Sequence, residues 1–473
     1  MHQLDKFYIA GQWVAPADGA GSADIVNPAT EAVIGTVAMG SAADVERAVA
    51  AARAAFPAWS ATTREERLAV LGRIVELYKS RLDDIATAIH EEIGAPVWLC
   101  KARQAPLGLR MFESAVAALK DLPASTQLGN TEVVSEPIGV AALITPWNWP
   151  VTTVATKVGS ALAAGCTVVL KPSELAPLDA RIFAEIVHDA GVPAGVFNLI
   201  FGDGPTVGAA LARHAGVDVI SITGSTRAGV EVAAAAAGSV KRVLQELGGK
   251  SPNVILDDAD LAAAVSNGVM SCMLNSGQTC VAPTRMLVPR QLQEQAIAIA
   301  SATVAALKVG DPADPESKVG SMANRAQFEK VQRMIAIGIE EGTRVVTGGT
   351  GLPEGVDKGY FVRPTIFADV RNDATIAREE IFGPVLAMIP YDTEEEAIAI
   401  ANDTEYGLAA YVWSTDPARA RRVAGRLRAG TVNINGASAH PGAPFGGYKR
   451  SGNGREFGSY GLAEYMEYKA VSV

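Results

Sequence analysis

A chain of 473 residues is long enough for two or three domains around a sizeable core. Its formal charge of −10 and the lack of any basic run exclude a general nucleic-acid binder, because phosphate needs a basic face. Four scattered cysteines (Cys100, Cys166, Cys272, Cys280) do not make a disulfide framework, and with five dispersed histidines and no CxxC no metal is expected. Met1 to Lys6 lacks the pattern of a signal peptide, and the apolar stretch 158–170 is broken by Gly159, Ser160, Gly165 and Thr167. The expectation is a cytoplasmic protein with no membrane partner.

In chain order, Phe7 to Val14 alternates and turns like a small hairpin, followed by a polar loop over 17–23. Apolar residues three and four apart predict helices over 42–56, 64–80 and 83–93, the last stopped by Gly94. From Ile138 short apolar runs alternate with helices. Strands are expected over 139–144, 167–170, 196–200 and 217–222, and helices over 151–162, 181–190 and 206–214. This alternation predicts a parallel sheet with helices on both faces, which binds ligands outside the carboxyl ends of its strands. Asn148, Lys171, Glu174, Gly224 and Ser225 fall at those ends. A second alternating region runs from 254 to 434, with strands at 286–288, 344–346 and 385–389 and helices at 292–307 and 326–341. Residues 442–454 read as a loop or linker before a final strand over 465–473.

Several residues have a chemical reading beside a plainer one. Gly224-Ser225-Thr226-Arg227-Ala228-Gly229 opens a helix after a strand, as a tight turn with a cap or as a pyrophosphate cradle. The spacing is neither G-x-G-x-x-G nor a P-loop. Lys171 and Glu174 suit the two hydroxyls of a ribose, or form a solvated surface pair. Asn148, between Trp147 and Trp149, suits an oxyanion donor or a turn with an aromatic staple. Cys280 is a nucleophile or an inert buried thiol, and Glu246 a general base or a solvent-facing helix residue. A thiol and a carboxylate together suit attack on a carbonyl carbon followed by proton transfer.

These segments carry a resemblance. Pro146-Trp147-Asn148, Lys171-Pro172-Ser173-Glu174, Thr223-Gly224-Ser225-Thr226, Glu246-Leu247-Gly248-Gly249-Lys250-Ser251-Pro252, Gly277-Gln278-Thr279-Cys280, Glu380-Ile381-Phe382-Gly383-Pro384 and Pro444-to-Gly452 stand in order. Over essentially its whole length the chain resembles the NAD(P)-dependent aldehyde dehydrogenase superfamily. The resemblance implies an α/β fold: a Rossmann-type cofactor domain (1–120 and 137–247), an α/β catalytic domain (248–450) and a small β oligomerisation arm (121–136 and 451–473). It implies oxidation of an aldehyde to a carboxylic acid with NAD, NADP being possible. Cys280 would form a thiohemiacetal and then a thioester, Asn148 would hold the oxyanion, and Glu246 would activate the hydrolytic water. The family's cofactor positions fall on Ile144, Trp147, Lys171, Ser173, Glu174, Gly204, Gly224, Ser225, Glu380 and Phe382. Gln327 and Lys330 match further positions that touch the cofactor in some members.

Ser459 is expected to depart from the family pattern, standing where several members have a glutamate that relays protons from the base. Lys157 is the residue expected to contribute instead. Substrate-tunnel positions match Trp149, Thr152, Thr153, Thr156, Leu274, Thr279, Val281, His440 and Phe445. The three threonines suggest a wide, polar tunnel for a medium or large aliphatic, ω-oxo acid or aromatic aldehyde. A homodimer or homotetramer is expected. The alternatives are a CoA-acylating semialdehyde dehydrogenase, which does not need the base, and a catalytically silent structural relative.

Overall fold

The computed structural model describes residues 1–17 and 21–473, so part of the loop expected over 17–23 lies outside the described residues. Two large sheets organise the chain. The first has the spatial order Gly452–Asn453, Arg242–Glu246, Val219–Thr223, Val140–Ile144, Thr167–Lys171, Phe197–Leu199, Phe7–Ile9, Gln12–Val14. Its five central strands are parallel, and the short strands at either side run antiparallel. Val140–Ile144 and Thr167–Lys171 are buried at every position, as strands covered on both faces must be. From Val140–Ile144 the chain builds outward in one direction through Thr167–Lys171, then returns to build in the other through Val219–Thr223. A crevice therefore opens at the carboxyl ends where the order reverses.

The second sheet runs Arg344–Thr347, Thr365–Ala368, Val385–Tyr391, Arg285–Pro289, Pro252–Ile255, Ala409–Trp413, Thr431–Ile434, parallel except at Arg344–Thr347. Alternate residues serve different cores. Val254 and Leu287 pack on one face, and Ile255, Met286 and Val288 on the other. A third, antiparallel sheet joins Met466–Ser472, Thr131–Pro137 and Ser125–Leu128.

Most helices start and stop where their residues require. Thr63 caps Arg64–Ser80 through a capping box with Glu66, and Gly94 (φ 67°) ends Leu82–Ile93 in the left-handed conformation. Three features differ from expectation. Ser22–Asn27 and Ala32–Ala38 form a small sheet with His2–Leu4 in the supposedly helical first third. The helix expected over 206–214 begins as a π-helical turn, Gly204–Gly208, before Ala209–Arg213. Residues 442–454 are no linker, because Gly452–Asn453 pairs with the strand ending in Glu246. The segment between that pair and the terminal strand also packs near the first sheet. Gly458–Ala463 packs on the helices Ala105–Asp121 and Pro150–Ala164.

One buried acid pair predicts a pH effect on stability. Glu92 takes the Leu178 and Asp179 N–H groups at 2.7 and 3.2 Å, capping the helix Leu178–Asp189. The fully buried Asp179 carboxyl has no partner on either oxygen. Burial pushes Asp179 up to about 7, and burial together with the Asp179 charge holds Glu92 well above the carboxylate range. Because the folded pKa exceeds the unfolded one, stability is fully present below about pH 4. It declines as the unfolded chain ionises, until the pair loses its proton near pH 7. Asp179→Asn should therefore stabilise by roughly 1–3 kcal/mol above pH 7, with the gain vanishing toward pH 4, in urea unfolding across pH. An equal shift at both ends would refute the raised pKa of Asp179.

Candidate active site

The carboxyl ends of the first sheet face a loop of the second. Ile144 ends its strand, and Thr145 to Trp149 lead into the helix Pro150–Ala164, whose proline at the first position suits a helix start. Lys171 ends the next strand, Thr223 another, and Glu246 the last of the parallel set. From the second sheet, Leu261–Met273 delivers a tight turn, 274–277, directly before Cys280. Asn275, Ser276 and Gly277 are all left-handed, with φ of 55°, 56° and 73°. A Cβ on Gly277 would lie 2.1 Å from the Gly383 carbonyl oxygen, so only glycine fits.

This turn is joined to Asn148. The Asn148 Nδ2 donates to the Gln278 carbonyl at 3.0 Å, and Asn275 Nδ2 donates to the Asn148 carbonyl at 2.8 Å. Trp149 Nε1 donates to Thr279 Oγ1 at 3.2 Å. An amide NH2 has two donors, so Asn148 keeps one beyond its bond to Gln278. Cys280 is half-buried, and its thiol is pushed up to about 12 by burial, then by the Glu380 and Glu246 charges. The resting sulfur is a neutral thiol that needs a base to attack.

Glu246 is buried, not solvent-facing on a helix, and neither carboxylate oxygen has a hydrogen-bond partner. Burial and the Glu456 charge raise its pKa well above the usual range, against the lowering influence of Lys157 and Arg455. Lys157 is fully buried and donates to Ser221 Oγ at 2.7 Å and to Glu456 Oε1 at 2.5 Å. The sequence reading looked for a relay carboxylate at 459. Ser459 is exposed, and the acid beside Lys157 is Glu456, three residues earlier. Its backbone exchanges two hydrogen bonds with Phe445 (2.9 and 2.7 Å), whose ring stacks on Phe457 at 4.9 Å. Glu456 already stood in the same run of sequence, and only the partner of Lys157 distinguishes it from Ser459.

Whether a dinucleotide fits is tested by the crevice itself. Ser225 caps Thr226–Ala236 through the Ala228 N–H at 3.2 Å, which confirms the cap, while the helix's first N–H groups remain available to an anion. A Cβ on Gly204 would meet nothing within 4 Å, and one on Gly224 nothing nearer than 3.9 Å, so the backbone there is open to close approach. Lys171 is buried, 3.4 Å from the half-buried Glu174, and its pKa is lowered by burial, so the two are no solvated surface pair. Ser173 Oγ accepts the Leu175 N–H at 3.2 Å and shapes that loop. Trp147 and Phe382 meet edge to face at 5.5 Å across the crevice. Glu380 accepts the Gly249 N–H at 2.9 Å. A Cβ at Gly249 would lie 2.5 Å from the Cys280 carbonyl oxygen, so the turn that Glu380 holds packs directly on the backbone of the thiol residue. Gln327 holds the Ile381 and Phe382 carbonyls at 3.1 and 2.8 Å, fixing the loop, while Lys330 is near the Glu380 charge. The chemistry of these groups is compatible with a dinucleotide: carboxylates for ribose hydroxyls and a helix N-terminus for a pyrophosphate.

The three threonines at the expected tunnel positions each donate to a backbone carbonyl. Thr152 Oγ1 donates to the Gln104 carbonyl (3.3 Å), Thr153 to Pro150 (2.9 Å) and Thr156 to Thr152 (2.8 Å). Each hydroxyl proton is thus committed, and the oxygen lone pairs and the methyl group are what these side chains retain. Val281 lends its carbonyl to Tyr411 Oη at 2.8 Å, and His440 is exposed with its Nδ1 on the Gly442 N–H at 3.0 Å.

A half-buried thiol, an amide donor and an unpartnered buried carboxylate beside a dinucleotide-shaped crevice define an enzyme of covalent, cofactor-linked chemistry. The family profile described as "Aldehyde dehydrogenase family" matches residues 13–471, and the chain belongs to that family. It is 53% identical to 3-succinoylsemialdehyde-pyridine dehydrogenase of a Pseudomonas species, covering 100% of this chain and 99% of the relative. Aldehyde dehydrogenase C of Pseudomonas syringae, a Cys-to-Ala variant solved with NAD+ and octanal, is 55% identical with a TM-score of 0.98 over 99% of this chain and 96% of that one. A Mycobacterium tuberculosis aldehyde dehydrogenase solved with NAD+ is 42% identical with a TM-score of 0.97, over 100% and 98%. Among the described residues no helix is long and apolar enough to cross a membrane.

Proposed function

We propose that the protein oxidises a medium or large aldehyde to its carboxylic acid with NAD, through a thioester on Cys280 that water hydrolyses. The observation that carries this reading is the buried carboxylate of Glu246, free on both oxygens, beside the thiol. The Cys280 sulfur attacks the aldehyde carbon as its proton passes to a base, giving a thiohemiacetal whose oxyanion takes the free N–H of Asn148. NAD, when bound, would supply the acceptor for the hydride that the thiohemiacetal carbon loses in becoming the thioester; Glu380, Phe382 and Trp147 would hold its nicotinamide end, and Lys171, Glu174, Ser225, Gly204 and Gly224 the rest. Glu246 then takes a proton from water, which attacks the thioester carbon and releases the acid. Lys157 and Glu456 set the proton affinity of Glu246. A CoA-acylating enzyme does not need that base, so its presence supports hydrolysis.

The substrate follows from the threonine methyls together with Trp149, Leu274 and Phe445, which favour an apolar chain. A relative solved with octanal and another named for a pyridine-bearing semialdehyde agree with that size. An initial-rate series over aliphatic chain length and aryl aldehydes, with NAD or NADP and with or without CoA, tests this. CoA-independent turnover that improves toward six to ten carbons is expected, and preference for two or three carbons would overturn it. For assembly, the edge strand Met466–Ser472 favours pairing with a second copy into a dimer or tetramer.

Two further outcomes follow. Glu174→Gln removes a charge that repels a 2′-phosphate and should raise NADP use relative to NAD about tenfold in kcat/KM. An unchanged ratio would remove Glu174 from cofactor choice. Glu456→Gln removes the larger charge acting on Glu246, so the acid limb of the pH–rate profile should move down by roughly half to one unit. A limb that stays in place would mean that Glu246 does not control it.

A further inference from the structure

Gln104 is fully buried at the end of a π-helical turn, Cys100–Gln104, in which the Ala105 N–H bonds to the Cys100 carbonyl five residues back. Such one-residue insertions in a helix often accompany functional sites. Gln104 reaches both elements of the active site. Its main-chain carbonyl accepts the Thr152 hydroxyl at 3.3 Å, on the helix that follows Asn148, and its Nε2 donates to Asn275 Oδ1 at 3.2 Å, in the turn before Cys280.

The amide orientations follow from the partners. Asn275 Nδ2 faces the Asn148 carbonyl at 2.8 Å and the Gln278 carbonyl at 3.3 Å, both acceptors only. Its oxygen therefore faces Gln104, which must present Nε2, and Gln104 Oε1 is left buried without a donor. Gln278 in turn holds the Asn275 carbonyl at 3.2 Å and takes the Ala323 N–H at 2.9 Å. One amide, Asn275, thus grips both the residue bearing the free N–H and the residue two before the thiol. It does so from a left-handed backbone continued by Ser276 and Gly277. A hydrocarbon at 104 would remove the unpartnered Gln104 oxygen but leave the buried Asn275 Oδ1 without its donor, so the polar side chain serves the bond that it makes to Asn275.

We propose that Gln104 is a positioning residue: by orienting the Asn275 amide it sets the distance between the Asn148 donor and the Cys280 sulfur, and so the stabilisation of the oxyanion. The proposal rests on the aldehyde-oxidation reading. Gln104→Met keeps the size and removes both polar ends, and Asn275→Asp keeps the shape and the left-handed backbone but loses the donor to both carbonyls. Each should lower kcat for aldehyde by about 10- to 100-fold with the KM for NAD within error of wild type; the thermal midpoint should stay near wild type in Gln104→Met, which exchanges one unpartnered acceptor for another, and fall in Asn275→Asp, which sets a buried carboxyl against two carbonyls.

A double-mutant cycle separates positioning from packing. In an Asn148→Ala background, itself slower by about a hundred- to a thousandfold, Gln104→Met should cost less than about threefold more. An unchanged kcat in Gln104→Met, or an equal loss in both backgrounds, would overturn the proposal while leaving the functional reading intact. If Gln104→Met folds poorly, the cycle run with Asn275→Asp decides by the same criterion. Wild-type protein without aldehyde turnover, or Asn148→Ala at wild-type rate, would instead overturn the functional reading and the positioning role with it.

Discussion

Cys280→Ala is expected to abolish aldehyde-dependent NADH formation, by at least about 10⁴-fold in kcat, while NAD still binds. Nothing nearby replaces the sulfur. Cys100, Cys166 and Cys272 are all buried, and burial raises each thiol to about 12. The crevice residues Lys171, Glu174, Ser225 and Glu380 do not bond to Cys280, so NAD affinity by fluorescence titration should change by less than about twofold. A variant that keeps even a tenth of the rate would mean that another group attacks the aldehyde. A variant that loses NAD affinity would mean that the thiol supports the crevice as well as the chemistry.

Glu246→Gln should divide the reaction at the thioester. Water activation is lost, so steady-state turnover should fall by about 10²- to 10⁴-fold. The first turnover does not need that water, and rapid mixing should still yield close to one NADH per active site. The burst should be slower than in wild type if Glu246 also takes the thiol proton, and unchanged if it does not. Loss of the burst together with the steady-state rate would assign Glu246 wholly to thiol activation, leaving hydrolysis to another group. The raised pKa of Glu246 gives the expected pH dependence. The anion is the working form, so wild-type turnover rises with pH through a value above the ordinary carboxylate range, and Glu246→Gln should lack that limb.

The first sheet was largely legible because its strands are buried on both faces and read as continuous apolar runs ending in glycine, proline or a charged residue. Val140–Ile144 and Thr167–Lys171 fall within a residue or two of expectation. Thr365–Ala368 and Ala409–Trp413 in the second sheet escaped; they are no shorter or less buried than several strands of the first, but their alanines favour strands poorly and blur the apolar run. The helix Ala105–Asp121 went unassigned although Ala105, Gly108, Phe112, Ala115 and Leu119 repeat at three and four on its buried side. At the site, motifs located Asn148, Glu246 and Cys280, but not what those side chains touch. Nor does the sequence reveal that the threonine hydroxyls already donate to backbone carbonyls. Glu456 was passed over for Ser459 because a one-turn offset decides which side chain meets Lys157, and only the folded backbone sets that offset.

The most direct test of the central claim is peptide mapping by mass after acid quench of the Glu246→Gln enzyme mixed with NAD and octanal. The account predicts an acyl group, lost on hydroxylamine treatment, on the peptide that contains Cys280 and on no other. An NADH burst with no acyl adduct at Cys280, or with one elsewhere, would contradict it.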